Sequence, residues 1–321
     1  MNFVIVTRLL LVFPTLIGVT FITFALLFLS PGDPAEILLH EQYGTVDPGS
    51  AVVEEFKAMH GLNDPIIVQY VHWLSRIVTG DFGISFRTGN SVLEEFVSRF
   101  PITIQIAFFS EILALLIAVP LGIIAACRRR TWLDHTTRFI ALCGISVPSF
   151  WLSVVALLIF SLYLKWIRVL EDSYPLVLVL PVLILTFAQM GTLMRLTRAG
   201  MLETLKQNYI RTARSKGLNK REVVWTHALK NALIPVLTIF CMQLGSLAAG
   251  TVIIETVFTL NGVGRFLIES IYARDIPVIQ GFFLIIALIY VLVNLCADLI
   301  YCLLDPRVRI RGMTHESLEQ I

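Results

Sequence analysis

Apolar residues fall into six long runs, roughly Leu9–Leu29, Ile102–Cys127, Phe139–Leu164, Leu176–Met194, Ala232–Phe258 and Val278–Leu304. A helix needs ~20 such residues to cross a bilayer core, so the runs predict six membrane-spanning helices. The polar segments between them are unequal. Residues 31–101 form one large segment with ten acidic and four basic residues. Pro31-Gly32-Asp33-Pro34 stops the first run sharply. Further on, Ile66, Ile67, Tyr70, Val71, Trp73, Leu74 and Ile77 recur at helical spacing. They predict an amphipathic helix packed on the bundle or lying in the interface, closed by a turn at Asp81-Phe82-Gly83.

The other large polar stretch runs from Arg195 to Asn231, 37 residues with nine Lys/Arg against Glu203 and Glu222. It carries its own helix stop and start. Gly217 suits the left-handed backbone that follows a helix end. Asn219 is a good N-cap, and Glu222 three residues later completes a capping-box pattern. Leu218 and Val223 have hydrophobic-staple spacing. These signals predict a helix–turn–helix, and a structured basic element of this kind predicts a docking partner.

Composition places the whole in a membrane. Of 321 residues 56% are hydrophobic and 15% charged, with a mean hydropathy of +0.80, where a soluble domain is about one-quarter charged. The fold class is therefore all-α integral membrane. A net charge of +2 gives no reason to expect a nucleic-acid partner. The five cysteines, Cys127, Cys143, Cys241, Cys296 and Cys302, lie in or beside apolar runs without CxxC spacing and imply no disulfide framework. Arg8 precedes the first run and no small-x-small cleavage site follows it, the pattern of a retained signal anchor.

Basic residues set the orientation. Residues 1–8, 128–138, 195–231 and 305–321 hold 17 of the 25 Lys/Arg. Four of the remaining eight lie in the long segment 31–101, which is too long to count. Both termini are expected in the cytoplasm and the long segment outside. The expected organisation is a signal-anchor helix at 1–30, an external region at 31–101, a five-helix core at 102–304 containing the segment 195–231, and a cytoplasmic tail at 305–321.

Polar groups inside the runs mark candidate chemistry. Glu111 lies ~14 Å into the second run at 1.5 Å per residue, and buried carboxylates in membranes are costly. Glu255 and Asp298 lie near the ends of their runs, within reach of an interface. Ser146, Pro148, Ser149, Gln189, Gln243, Ser246 and Asn294 lie at mid-depth. Gly245, Gly250 and Ala248-Ala249 make one side of the fifth run small. Singly these suit helix packing. Together they suit a polar passage formed partly by the third and fifth runs, with Glu111, Ser146, Ser149, Gln189, Gln243 and Ser246 as pathway candidates. His40, His60 and His72 match no metal-ligand spacing and are expected to be solvent-facing or packed. No GxxxxGK[ST], HExxH or nucleophile elbow occurs. The chain is expected to have no catalytic residues, metal or cofactor of its own, so that energy from ATP would have to enter through a separate subunit.

Several stretches resemble a known family. Tyr209-Ile210-Arg211-Thr212-Ala213-Arg214-Ser215-Lys216-Gly217-Leu218 followed by Asn231-Ala232-Leu233-Ile234-Pro235 is similar to the cytoplasmic loop of ABC importer permeases, and more narrowly of the dipeptide/oligopeptide/nickel branch. Gly61-Leu62-Asn63-Asp64-Pro65, Asp81-Phe82-Gly83-Ile84-Ser85, Gly144-Ile145-Ser146-Val147-Pro148-Ser149-Phe150-Trp151, Gly262-Val263-Gly264-Arg265 and Leu304-Asp305-Pro306-Arg307 extend the resemblance over nearly the whole chain. Arg211 and Thr212 stand where the wider importer motif has Glu and Ala, a departure that looks typical of this branch.

The resemblance implies a cytoplasmic coupling helix between the fourth and fifth membrane helices, with Tyr209, Ile210, Arg211, Thr212, Ala213, Arg214, Gly217 and Leu218 as ATPase-coupling residues. It implies a second homologous permease, two ATP-binding subunits that hold ATP and magnesium, and an extracytoplasmic substrate-binding protein. Peptides and chelated nickel both remain open as cargo. A secondary transporter using Glu111 as its coupling carboxylate is the alternative, and a membrane-assembly factor a more distant one.

Overall fold

A computed structural model describes residues 2–29, 31–43, 49–166 and 176–304. Nearly every described residue is helical. Helices α1 (Asn2–Leu29), α2 (Pro34–Tyr43), α3 (Ser50–His60) and α4 (Ile66–Val78) lead into the long α5 (Val92–Cys127). Helices α6 (Trp132–Ser146) and α7 (Ser149–Leu157) follow, the latter continuing as a π turn over Leu158–Tyr163. Then come α8 (Val179–Thr204), α9 (Asn208–Ser215), α10 (Lys220–Glu222), a π turn over Val223–Ala228, α11 (Leu229–Val257), α12 (Val263–Tyr272) and α13 (Ile276–Leu304).

Among the described residues four helices are long and apolar enough to cross a membrane, within Val92–Cys127, Val179–Thr204, Lys220–Gly245 and Ile276–Ala297. A fifth span exists if α6 and α7 with its π turn are taken together. The described apolar part of α1 is the shorter Val12–Leu27. The third run was expected as one span from Phe139 to Leu164. It is instead bent by 95° between Ser146 and Ser149. Pro148 explains the break: it has no N–H to donate and holds Val147 in an extended conformation, φ −83° and ψ 120°.

The chain divides into two compact units. The first comprises residues up to Thr103 with Leu260–Val291, and the second Ile104–Thr259 with the chain from Leu292 onward. In the first unit, helices α2 and α3, which apolar periodicity did not reveal, enclose a small core of Ala35, Leu39 and Val53. Their ends carry local signals all the same. Asp33 accepts from the Ala35 N–H at 3.0 Å ahead of Pro34, and Gly61 caps α3 at φ +66°. The expected amphipathic helix is α4, whose Tyr70 ring meets Phe24 of α1 edge-on at 5.3 Å.

A larger core joins Val92 and Phe96 of α5, Val263, Phe266 and Leu267 of α12, and Val278 and Phe282 of α13. Asp275, fully buried, clasps the loop after α4. It accepts from the Ser85 hydroxyl at 2.5 Å and from the N–H groups of Phe86 and Arg87 at 3.1 and 3.3 Å. Burial pushes the Asp275 carboxyl above its ordinary value, and these donors pull against that shift.

The second unit is organised around α8. Met190, Leu193 and Met194 of α8 meet Ala114 and Ala118 of α5, Ala141 of α6 and Val236 of α11. Helices α6 and α8 cross backbone to backbone. A Cβ on Gly144 would sit 2.4 Å from the Phe187 carbonyl oxygen, and one on Gly191 would sit 2.5 Å from that of Ala141. Small residues permit such crossings where lipid offers no hydrophobic drive.

Candidate functional site

The expected coupling element is α9, and its eight residues present two faces. Ile210 and Ala213 lie one turn apart and are buried, Ile210 completely. They join Ile123 and Ala126 of α5, Met201 of α8, Val223 and Ala228 of the π turn and Ala232 of α11 in one core, with Leu218 against its edge. Tyr209, Arg211, Thr212 and Arg214 lie on the exposed side. Ile210 and Ala213 are thus the anchors of α9, and any partner meets the other four. Sequence spacing already implied the division, since residues three apart share a helix face.

The turn after α9 forms as its residues suggest. Gly217 has φ +84°. Its N–H donates to Arg214 O at 3.0 Å and the Leu218 N–H to Ala213 O at 3.4 Å, the paired bonds of a Schellman motif. The Asn219 side chain accepts from the Glu222 N–H at 2.8 Å. The reciprocal half of the expected capping box does not form: the Glu222 side chain is exposed and accepts no hydrogen bond from the Asn219 N–H. From Lys220 the chain rises as one helical rod through α10, the π turn and α11. The polar stretch 195–231 is therefore not a separate helix pair. Helix α8 runs on to Thr204 and the rod starts at Lys220, so only α9 and its flanking turns leave the bundle.

Two long-range contacts tie this region down, and neither was visible from spacing. The Asn231 amide donates to the Tyr209 hydroxyl at 2.7 Å, fixing α9 to α11. Arg198 binds Asp134 at the start of α6 with two hydrogen bonds of 2.6 and 3.0 Å, and Asp134 also accepts from the Arg130 N–H at 3.0 Å. Bidentate pairs of this kind are strong and directional. One of the nine basic residues is thus committed to the fold rather than to a partner.

The pathway candidates separate. Gln189 and Gln243 meet, the Gln243 amide donating to Gln189 Oε1 at 3.0 Å. Ser146 is exposed and Ser149 half-buried, and they flank the break at Pro148. Glu111 is fully buried and neither carboxylate oxygen has a hydrogen-bond partner among the described residues. The side chains of Ser246, Gly250, Ala248, Ala249 and Asp298 lie outside the described residues, as do residues 305–321. A cavity of about 920 Å³, which sequence reasoning missed, lies between α6 and α8. Arg138, Arg195 and Arg198 line it beside Phe139, Leu142 and Ile145, with Ile239 of α11 at one wall. His60 in the first unit is exposed and stacks on Phe56 at 4.2 Å.

Residues 118–310 match the family described as binding-protein-dependent transport system inner membrane component, and residues 1–107 match the N-terminal region described for such membrane components. The chain belongs to this family of permeases. Its similarity to individual members extends nearly end to end. It is 38% identical over 330 residues to a dipeptide transport system permease protein of Alkalihalophilus pseudofirmus, covering 94% of this chain and 98% of that one. It is 37% identical to an oligopeptide transport system permease protein of Bacillus subtilis, covering 95% of this chain and 98% of the relative. A dipeptide permease of Escherichia coli K12 is 36% identical with the same coverage. Among solved structures, an inward-facing methionine ABC transporter, MetNI, matches 66% of this permease and 97% of its own chain. The TM-score is 0.55 at 18% identity, a likeness of fold. Members of the family are membrane-embedded transport subunits, not enzymes.

Proposed function

We propose that this permease is the membrane subunit of an ATP-driven, binding-protein-dependent importer of short peptides. The near full-length match to dipeptide and oligopeptide permeases carries the reading. Six membrane helices, both termini in the cytoplasm and residues 31–101 outside complete the arrangement. A second homologous permease forms the other wall of the passage, a substrate-binding protein delivers the peptide outside, and two ATP-binding subunits dock on the exposed face of α9. Peptides are favoured over chelated nickel because the relatives named above are peptide permeases.

The geometry supports a simple transmission. α9 is held to α5, α8 and α11 by a buried apolar core and by Tyr209–Asn231. A push on its exposed side moves the ends of three long helices together. The cavity between α6 and α8 offers the guanidinium groups of Arg138 and Arg195, which complement a peptide carboxylate, and this stretch is the part of the passage that the chain contributes. One observation favours a gradient-driven alternative, the unpartnered carboxylate of Glu111.

The double variant Arg211→Ala/Arg214→Ala tests the docking face. It removes two exposed charges and no buried contact. Membrane insertion is expected to be normal while peptide uptake by the assembled transporter falls at least severalfold. Unchanged uptake would show that the partner does not read these side chains.

A further inference from the structure

The first unit holds a second cavity, of about 690 Å³, that the passage in the second unit does not use. It lies among α3, α4, the loop after α4 and the start of α13. Its volume is within the range of small-molecule sites, roughly 300–1,000 Å³. Two of its lining residues carry buried N–H groups without acceptors among the described residues, Trp73 Nε1 and Gln280 Nε2. Trp73 is 6% exposed and Gln280 4%. An unpaired buried donor is destabilising, and native structures rarely keep two against one cavity.

The rest of the lining narrows the ligand. Phe56 and Phe86, whose rings meet edge-on at 5.5 Å, supply an apolar wall. Arg76 on one side and Asp64 and Asp81 on the other, all exposed, supply charges of both signs at the rim. Donors without acceptors call for carbonyl oxygens. An aromatic wall calls for apolar side chains. Opposite charges at the rim call for a zwitterion. The ester carbonyls of a phospholipid would also accept from these donors, so the peptide is chosen on the proposed function, which rests on the peptide-permease relatives.

We propose that this cavity is an outer-face holding site for a short zwitterionic peptide, whose backbone carbonyls accept from Trp73 and Gln280 and whose termini face Arg76 and Asp64. The proposal rests on the peptide-importer reading and adds to it a second site, within the unit that combines most of the N-terminal family region with Leu260–Val291.

The test is equilibrium binding of labelled Ala-Phe-Ala to the full chain in lipid nanodiscs without binding protein, alongside uptake of the same peptide by the assembled transporter in vesicles. A saturable component that depends on Trp73 and Gln280 is expected. Trp73→Phe and Gln280→Met, which remove a donor and keep the bulk, are each expected to weaken binding about fivefold or more, the effect of one lost hydrogen bond. Acetylating and amidating the peptide should weaken it further. The two variants stand in different helices, so one reports if the other misfolds. No saturable binding, or binding indifferent to both variants, would mean that the peptide does not occupy this cavity and would overturn the proposal. If uptake persists in that case, the importer reading stands; absence of uptake altogether would overturn the peptide reading itself.

Discussion

Ile210→Ala tests whether α9 is coupled through its buried side. Ile210 is fully buried and sits in a core shared with α5, α8, the π turn and α11. The substitution deletes Cγ1, Cγ2 and Cδ1. At about 0.8 kcal/mol per buried carbon the transfer loss is about 2.4 kcal/mol. The cavity left behind raises it, and large-to-small changes at such sites cost roughly 2–5 kcal/mol. An eight-residue helix has little independent stability, so the loss falls mainly on the docking of α9. Its undocked fraction should rise about 50-fold or more. Amide hydrogen exchange over residues 208–215 should quicken accordingly, with the α6–α8 crossing unaffected. In the assembled transporter ATP hydrolysis should continue while peptide uptake drops. Ile210→Val, which costs roughly 0.5–1.5 kcal/mol, should fall between. An alanine variant with unchanged exchange in α9 and unchanged uptake would refute the idea that this core transmits the motion.

Gly217→Val isolates backbone strain, since a Cβ at Gly217 meets nothing within 4 Å while φ is +84°. A β-branched residue there should cost roughly 1–2 kcal/mol and loosen the Schellman turn, seen as faster exchange at Leu218; an unaltered rate would show that the turn tolerates any side chain. Gly191→Ala tests the opposite case, because its methyl would lie 2.5 Å from Ala141 O. Overpacking of roughly 1–3 kcal/mol should lower the thermal midpoint of the purified chain, and an unchanged midpoint would mean that α6 and α8 are not in tight contact.

What could be read in advance was local. Gly217 and Asn219 announced their turn because capping chemistry depends on residues within one helical turn. The apolar runs announced the long helices for the same reason. Pro148 also carried a readable signal, since the residue before a proline avoids helical backbone, yet composition alone made the third run look continuous. The pairing of Asp134 with Arg198, 64 positions away, depends on how α6 and α8 cross, and no spacing rule reports that. Helices α2 and α3 escaped because, among their described residues, Ala35, Leu38, Leu39 and Val53 alone are buried, too few for a clear period. The two faces of α9 were legible in principle, but its basic residues drew attention away from Ile210, which does the anchoring.

The most direct measurement is labelled dipeptide uptake into vesicles containing this permease with its co-purified partner subunits and binding protein, with ATP trapped on the ATPase side and all ion gradients collapsed. ATP-dependent accumulation, absent from vesicles holding this chain alone and retained in Glu111→Gln, is the expected result. Uptake by the chain alone, driven by a proton or sodium gradient and lost in Glu111→Gln, would contradict it and make Glu111 the coupling group.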